Sequence, residues 1–194
     1  PEITGMESEE KFEGYEERKL FTHNLSHTSF AYYGFLKKYE YIWQSAADDE
    51  IRCLVLSAMR ESGEAIVKKH GFTEDGQSAH ETDLLKRFAN RELGDTVFRV
   101  GRDPARKLGY NDRFIGAARL CKEYNIEPVN ICMAAAAGMF FSHPADPSSG
   151  RIWEIMGRGG AGEVSARVCG AEPGSQIASL LESGYEEVRR RFNV

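Results

Sequence analysis

No apolar run in this 194-residue chain approaches the ~18–20 residues that a bilayer span needs, which excludes a membrane-spanning helix. Basic charge is not in surplus. With 25 Lys and Arg against 30 Asp and Glu, the formal charge of −5 offers nucleic-acid phosphates no attractive field, which argues against a general nucleic-acid binder. Cysteine is scarce: Cys53, Cys121, Cys132 and Cys169 are widely spread and form no C-x-x-C pair. The expectation is a reduced, cytoplasmic protein with buried thiols rather than a disulfide framework. The acidic opening stretch does not have the form of a signal peptide. Also missing are period-two apolar runs, a hairpin signal between apolar strands, a repeat of fixed period and any low-complexity tract.

What remains is helical periodicity, in a chain of ordinary globular composition and a length suited to one substantial core. From Asp48 to His70, apolar residues from Ile51 to Ile66 recur at three- and four-residue spacing. Acidic residues stand at the start of this segment, and Lys68, Lys69 and His70 precede Gly71 at its end. Residues 15–44 read as helical with a break near Gly34, and 82–91 carry Leu84, Leu85 and Phe88 on one face. A helix capped by Asn111 is expected to run to Tyr124 and end near Asn125. Another spans 128–141, with Ala134 to Ala137 allowing close helix approach. The last covers 175–192, with Arg189 to Arg191 set against its dipole. Residues 1–14 read as an extended lead-in and 15–194 as the folded domain. The fold class is all-α, a compact multi-helix bundle.

One motif is a lookalike. Residues 157–162, Gly-Arg-Gly-Gly-Ala-Gly, match the dinucleotide fingerprint letter for letter. That fingerprint needs a strand before it and a helix after it, within a βαβ unit. Here the preceding 151–156 read as the end of a helix, so a flexible helix–helix turn is expected and no cofactor-binding residues are assigned. Metal chemistry is also disfavoured. His23 and His27 are four apart, but Asn24 stands where a zinc-binding helix carries glutamate, and no Cys pair complements the other histidines. No serine sits in a G-x-S-x-G elbow.

Two concentrations of chemistry remain. In 19–27, Lys-Leu-Phe-Thr-His-Asn-Leu-Ser-His, α-helical winding puts Lys19, His23 and His27 along one drifting stripe and makes Asn24 and His27 neighbours. Lys19 could act as a general base if desolvation or nearby positive charge lowers its pKa. Asn24 could donate to an oxygen becoming anionic, and His27 could bind that oxygen or orient the lysine. The competing reading is a helix with ordinary solvated polar residues. The second concentration is Arg99, Arg102, Arg106 and Lys107, interrupted by Gly101 and Pro104. Guanidinium forks suit phosphate or carboxylate, and the equal alternative is a solvated surface paired with Glu92, Asp95, Asp103 and Asp112.

The string from Glu17 to His27 resembles the catalytic signature of the polyol-specific long-chain dehydrogenases: Lys, four residues, Asn, two residues, His. Ala31-Tyr32-Tyr33-Gly34, Glu61-Ser62-Gly63, His70 to Phe72, Arg99 to Leu108 and Asp112-Arg113 are also similar to that family. Ser26 and Thr28 depart from it, since relatives commonly carry Gly and Ala there. The resemblance implies an N-terminal Rossmann domain that binds NAD, followed by an all-helical substrate domain like those of polyol and 6-phosphogluconate dehydrogenases. This chain, which opens on Pro1, looks like the second domain alone. The implied activity is metal-independent interconversion of D-mannitol 1-phosphate and D-fructose 6-phosphate, with NAD held mainly by the other domain. Lys19, Asn24 and His27 would be catalytic, and Arg102, Arg106 and Lys107 would bind substrate phosphate. The partners implied are a sugar-phosphate or polyol-phosphate substrate and the Rossmann domain, with neither nucleic acid nor membrane. The rivals are another polyol or hexuronate oxidoreductase of the family, and a helical binding module that does not turn over substrate.

Overall fold

The computed structural model describes residues 12–194. In chain order, α1 (Phe12–Arg18) passes through a π-helical turn (Lys19–Asn24) into α2 (Leu25–Leu36), and α3 (Ile42–Ala47), α4 (Asp49–His70) and α5 (Glu74–Phe88) follow. The short α6 (Val97–Gly101) and α7 (Pro104–Lys107) precede α8 (Ile115–Glu123), α9 (Val129–Met139), α10 (Pro147–Arg167) and α11 (Gln176–Phe192). Among the described residues there is no strand, only one isolated bridge between Tyr41 and Thr96.

The core is arranged around α9. Its sequence has almost no polar face, and a helix apolar all round must be surrounded. Every residue from Ile131 to Met139 is buried, and α2, α4, α8, α10 and α11 pack on it. The alanine run permits this crowding, and Gly138 marks the closest approach: a Cβ there would meet the Tyr32 ring of α2 at 2.5 Å. The N-terminus of α9 is capped from inside the fold. The Glu61 carboxylate of α4 accepts from the backbone N–H groups of Asn130 and Ile131, each at 2.9 Å, and from Asn130 Nδ2 at 2.6 Å. These bonds satisfy donors that the first helical turn leaves unpaired. Burial still pushes the Glu61 carboxyl above its ordinary value, against those hydrogen bonds.

The long amphipathic helices form where expected. Asp48 caps α4 by accepting from Ile51 N–H, and Gly71 closes it in the left-handed conformation. Ser175 caps α11. Other boundaries differ for identifiable reasons. Residues 12–14 belong to α1 rather than to an extended lead-in, while 1–11 lie outside the described residues. The break expected near Gly34 falls at 37–41, because Gly34 serves close packing: a Cβ there would collide with Ser45 Oγ. The helix expected over 82–91 begins at Glu74, capped by Thr73, and ends at Phe88; its first two turns bury the polar Gln77 and Glu81. Asn111 caps nothing, since α8 starts at Ile115, but Asn125 ends that helix in the left-handed region. Residues 151–156 belong to the last turns of the first arm of α10; the backbone leaves helical values at Gly159 and Gly160, where the expected helix–helix turn falls, and the helix resumes to Arg167. Three thiols are buried as expected, whereas Cys53 is exposed; all four are free. Among the described residues, no helix is long and apolar enough to cross a membrane.

Gly138→Ala forces a methyl into the rigid, fully buried Tyr32 ring. It is expected to cost about 1–3 kcal/mol, read as a lowered urea midpoint at unchanged m-value. An unchanged midpoint would show that the α2–α9 contact is slack.

Candidate active site

The turn carrying Lys19 and Asn24 is wound as a π-helix rather than an α-helix. The Leu25 N–H, which in an α-helix would serve Phe21, serves the carbonyls of Leu20 and Thr22 instead. Regular α winding would separate residues five apart by ~140°. The wider π winding, with bonds between residues five apart, returns them to neighbouring positions. Lys19 and Asn24 accordingly line one cleft of about 410 Å³, with Phe12, Tyr15, Glu16 and Leu20. Lys19 is exposed and Asn24 half-buried, and neither side chain has a hydrogen-bond partner among the described residues.

The two imidazoles of the expected stripe stay together, their ring centroids 6.1 Å apart, and Lys19 lies near enough to bear electrostatically on His23. Both rings lie against Phe88 of α5. The His27 ring stacks on it at 4.8 Å and 13°, and the His23 ring tilts toward it at 5.6 Å. His27 Nε2 is 3.0 Å from Asp95 Oδ2 but out of line for a hydrogen bond, and Asp95 is itself ion-paired with Arg99. Burial is the main cause that holds His27 down to a pKa of about 3, followed by His23, Arg99, Lys107 and Arg113. His23 is lowered too, first by burial and then by Arg87, His80, Lys19 and Arg113. Both rings are therefore neutral at pH 7.

The two positions that depart from the family pattern carry hydroxyls that tie this segment down. Ser26 Oγ donates to the Thr22 carbonyl at 2.6 Å and to the His23 carbonyl at 3.0 Å. Thr28 Oγ accepts from Arg113 Nη1 at 3.0 Å, and the same nitrogen lies 3.4 Å from the Asn24 carbonyl. Arg113 stands in the Asp112-Arg113 motif but is not among the sequence-assigned site residues. Its place beside Asn24 depends on a contact across 89 residues that no local pattern encodes.

The basic cluster is divided by the backbone. Helix α6 ends at Gly101, Asp103 takes a left-handed conformation, and Pro104 starts α7. Arg99 and Arg106 follow the solvated-pair reading, Arg99 with Asp95 and Arg106 with Asp103 at 2.7 Å and Asp112 at 3.0 Å. Lys107 is buried, and its ammonium donates to the carbonyls of Val100 and Arg102, both at 2.5 Å. Burial and the neighbouring Arg113 and Arg106 bring its pKa down to about 8. Arg102 is exposed and pairs with no carboxylate among the described residues. None of Arg102, Arg106 and Lys107 lines the Lys19 cleft; Arg106 faces another cleft, of about 480 Å³, with Arg151 and Arg167. Among the described residues, no three His, Cys, Asp or Glu side chains gather as metal ligands. The Gly-rich run at 157–162 spans the kink of α10, with a helix rather than a strand before it.

Comparison with known proteins gives the family and the fold. The mannitol dehydrogenase C-terminal domain profile matches residues 11–158. The chain is 37% identical over 190 residues to mannitol-1-phosphate 5-dehydrogenase of Thermoanaerobacter pseudethanolicus, covering 98% of this chain and 49% of that protein. It is 38% identical to the protein of the same name from Arthrobacter sp., covering 97% and 49%. The chain thus spans about half the length of the curated relatives it matches. In fold it is similar to Pseudomonas fluorescens mannitol 2-dehydrogenase, solved as a ternary complex with NAD and D-mannitol. That likeness has a TM-score of 0.72 at 20% identity, over 92% of this chain and 39% of the other. A substrate-free D-sorbitol dehydrogenase also aligns, with a TM-score of 0.72 at 14% identity, over 93% and 40%.

The neutral His27 makes a pH prediction with a definite sign. Its folded pKa of about 3 lies below the ordinary 6.5, so between those values the unfolded chain binds more protons. Stability is therefore lost as pH falls through that window. His27→Gln is expected to reduce the loss between pH 6.5 and 4.5 by roughly 2 kcal/mol, read from urea midpoints. Parallel pH profiles for the two proteins would show that His27 titrates normally in the fold.

Proposed function

This chain belongs to the mannitol dehydrogenase C-terminal domain family, and from that premise we propose that it is the acid–base and substrate-binding half of an NAD-dependent mannitol-1-phosphate 5-dehydrogenase. The observation that carries the reading is the opening of an amine, Lys19, and a carboxamide, Asn24, into one cleft with no other partner among the described residues. In the oxidation direction Lys19 takes the proton from the substrate hydroxyl. Asn24 donates its amide to the same oxygen as negative charge develops there. The neutral His27 imidazole polarises that oxygen without adding a buried charge. In the reverse direction Lys19 returns the proton to the oxygen of the reduced 2-keto group of fructose 6-phosphate. Both roles fall to side chains, so the reaction is proposed as metal-independent.

NAD, which accepts the hydride when bound, is assigned to an N-terminal Rossmann domain in the half of its relatives that this chain does not span. Of the three cations assigned to substrate phosphate, the proposal gives the direct contact to Arg102. Arg106 and Lys107 are engaged with carboxylates and carbonyls and shape the loop that presents it. An arginine grips a carboxylate equally well, so a hexuronate is the competing substrate class.

The test is a fusion of this chain to the N-terminal half of the Thermoanaerobacter relative, assayed by NAD reduction. Turnover of D-mannitol 1-phosphate is expected, with none from the unfused chain. Lys19→Ala should lower kcat by about 10²–10⁴-fold; a rate near wild type from pH 6 to 10 would refute the assignment of the base. Arg102→Ala should weaken use of D-mannitol 1-phosphate and spare D-mannitol. Equal loss on both would remove Arg102 from phosphate recognition, and turnover of a hexuronate alone would favour the competing class.

A further inference from the structure

We propose that Ser62 is a positioning residue for the Lys19–Asn24 pair, holding the π-turn in the register that brings the two side chains to one cleft. The Phe21 carbonyl loses its α-helical donor when Leu25 N–H turns to Leu20 and Thr22. A buried carbonyl without a donor is costly, and it would pull the segment back toward α winding. Ser62 Oγ supplies the donor, from 41 residues away on α4, at 2.5 Å and fully buried. Phe21 is held from its other end as well. Its ring packs so closely on α8 that a Cβ on Gly116 would meet it at 2.8 Å.

The next residue of the turn is clamped from α5. Gln77 Nε2 lies 3.3 Å from Thr22 Oγ1 and 3.0 Å from Glu81 Oε1. Helix α5 can come this close because Gly63 follows Ser62; a Cβ at Gly63 would collide with the Glu81 carboxylate. Without the Ser62 bond, the favoured alternative is the α register, in which Asn24 turns ~140° away from Lys19. Ser62 touches no substrate; it acts through Phe21.

This inference rests on the reading of Lys19 and Asn24 as the acid–base centre, but its first test needs no turnover. In isotope-labelled chain, nuclear Overhauser contacts are expected between the Lys19 side chain and the Asn24 carboxamide. Ser62→Ala should lose them, while Ser62→Thr, which restores the hydroxyl, should recover them. Ser29→Ala is the control for a merely structural loss. Its buried hydroxyl donates to the Leu25 carbonyl within α2 at 2.9 Å, and its removal should leave the Lys19–Asn24 contacts unchanged. Should Ser62→Ala unfold, Ser62→Cys, a weaker donor of similar size, supplies the graded version. In the fused enzyme, Ser62→Ala is expected to lower kcat about 10²-fold with little change in KM. Contacts preserved in Ser62→Ala, or lost equally in Ser29→Ala, would overturn the proposal. If the fused wild type turns over no polyol while Ser62→Ala still breaks the contacts, the catalytic reading fails and the positioning by Ser62 stands.

Discussion

The sharing of one cleft by Lys19 and Asn24 traces back to a helical turn that holds one residue more than α winding would place there. A π-turn is less favourable than the α-helix on either side of it, so it persists only where surrounding groups satisfy the carbonyls it displaces. At Lys19–Asn24 those groups come from three directions. Ser26 bonds back from α2, Ser62 reaches across from α4, and Arg113 approaches the Asn24 carbonyl from the segment before α8. The turn is thus defined by tertiary structure and not by its own six residues. This also explains why a lysine and an asparagine five apart can share one cleft on an otherwise helical segment.

The tripeptide Glu61-Ser62-Gly63 links this turn to the core. Each residue meets a different element: Glu61 caps the N-terminus of α9, Ser62 holds the Phe21 carbonyl, and Gly63 leaves room for Glu81 and Gln77 of α5. Helix α9 is enclosed on all sides, so α4 is fixed in both position and rotation where it crosses α9. Close packing transmits that constraint, because interiors at crystal-like density have no slack to absorb a rotation. The site inherits the rigidity of the core through three consecutive residues.

How much of this was legible in the sequence follows the range of each interaction. Helix α4 was readable nearly to the residue, because Asp48, the apolar spacing and Gly71 are all local signals. Helix α9 was readable because its composition leaves it nowhere to go but inside. The first half of α5 was not, since its buried face carries Gln77 and Glu81, and a polar core face has no amphipathic signature. The π-turn was not legible either. Its sequence fits α periodicity, which pairs Asn24 with His27 and gives no sign that Asn24 shares a cleft with Lys19. Lys107 fell to the same limitation. A lysine in a basic run reads as a surface cation, whereas its ammonium is buried between two backbone carbonyls made available by the turn at Asp103.

The electrostatics around His27 follow from the same packing. Arg99, Lys107 and Arg113 all bear on the ring, and burial keeps it neutral among them. A protonated imidazole there would add one more positive charge to a region already cationic, at low dielectric, where like charges repel most strongly. A neutral ring avoids that repulsion and leaves the neighbouring cations with the carboxylates and carbonyls that already hold them. The stacking of His23 and His27 on Phe88 keeps both imidazoles in the packed wall behind the turn, apart from the cleft that Lys19 and Asn24 line.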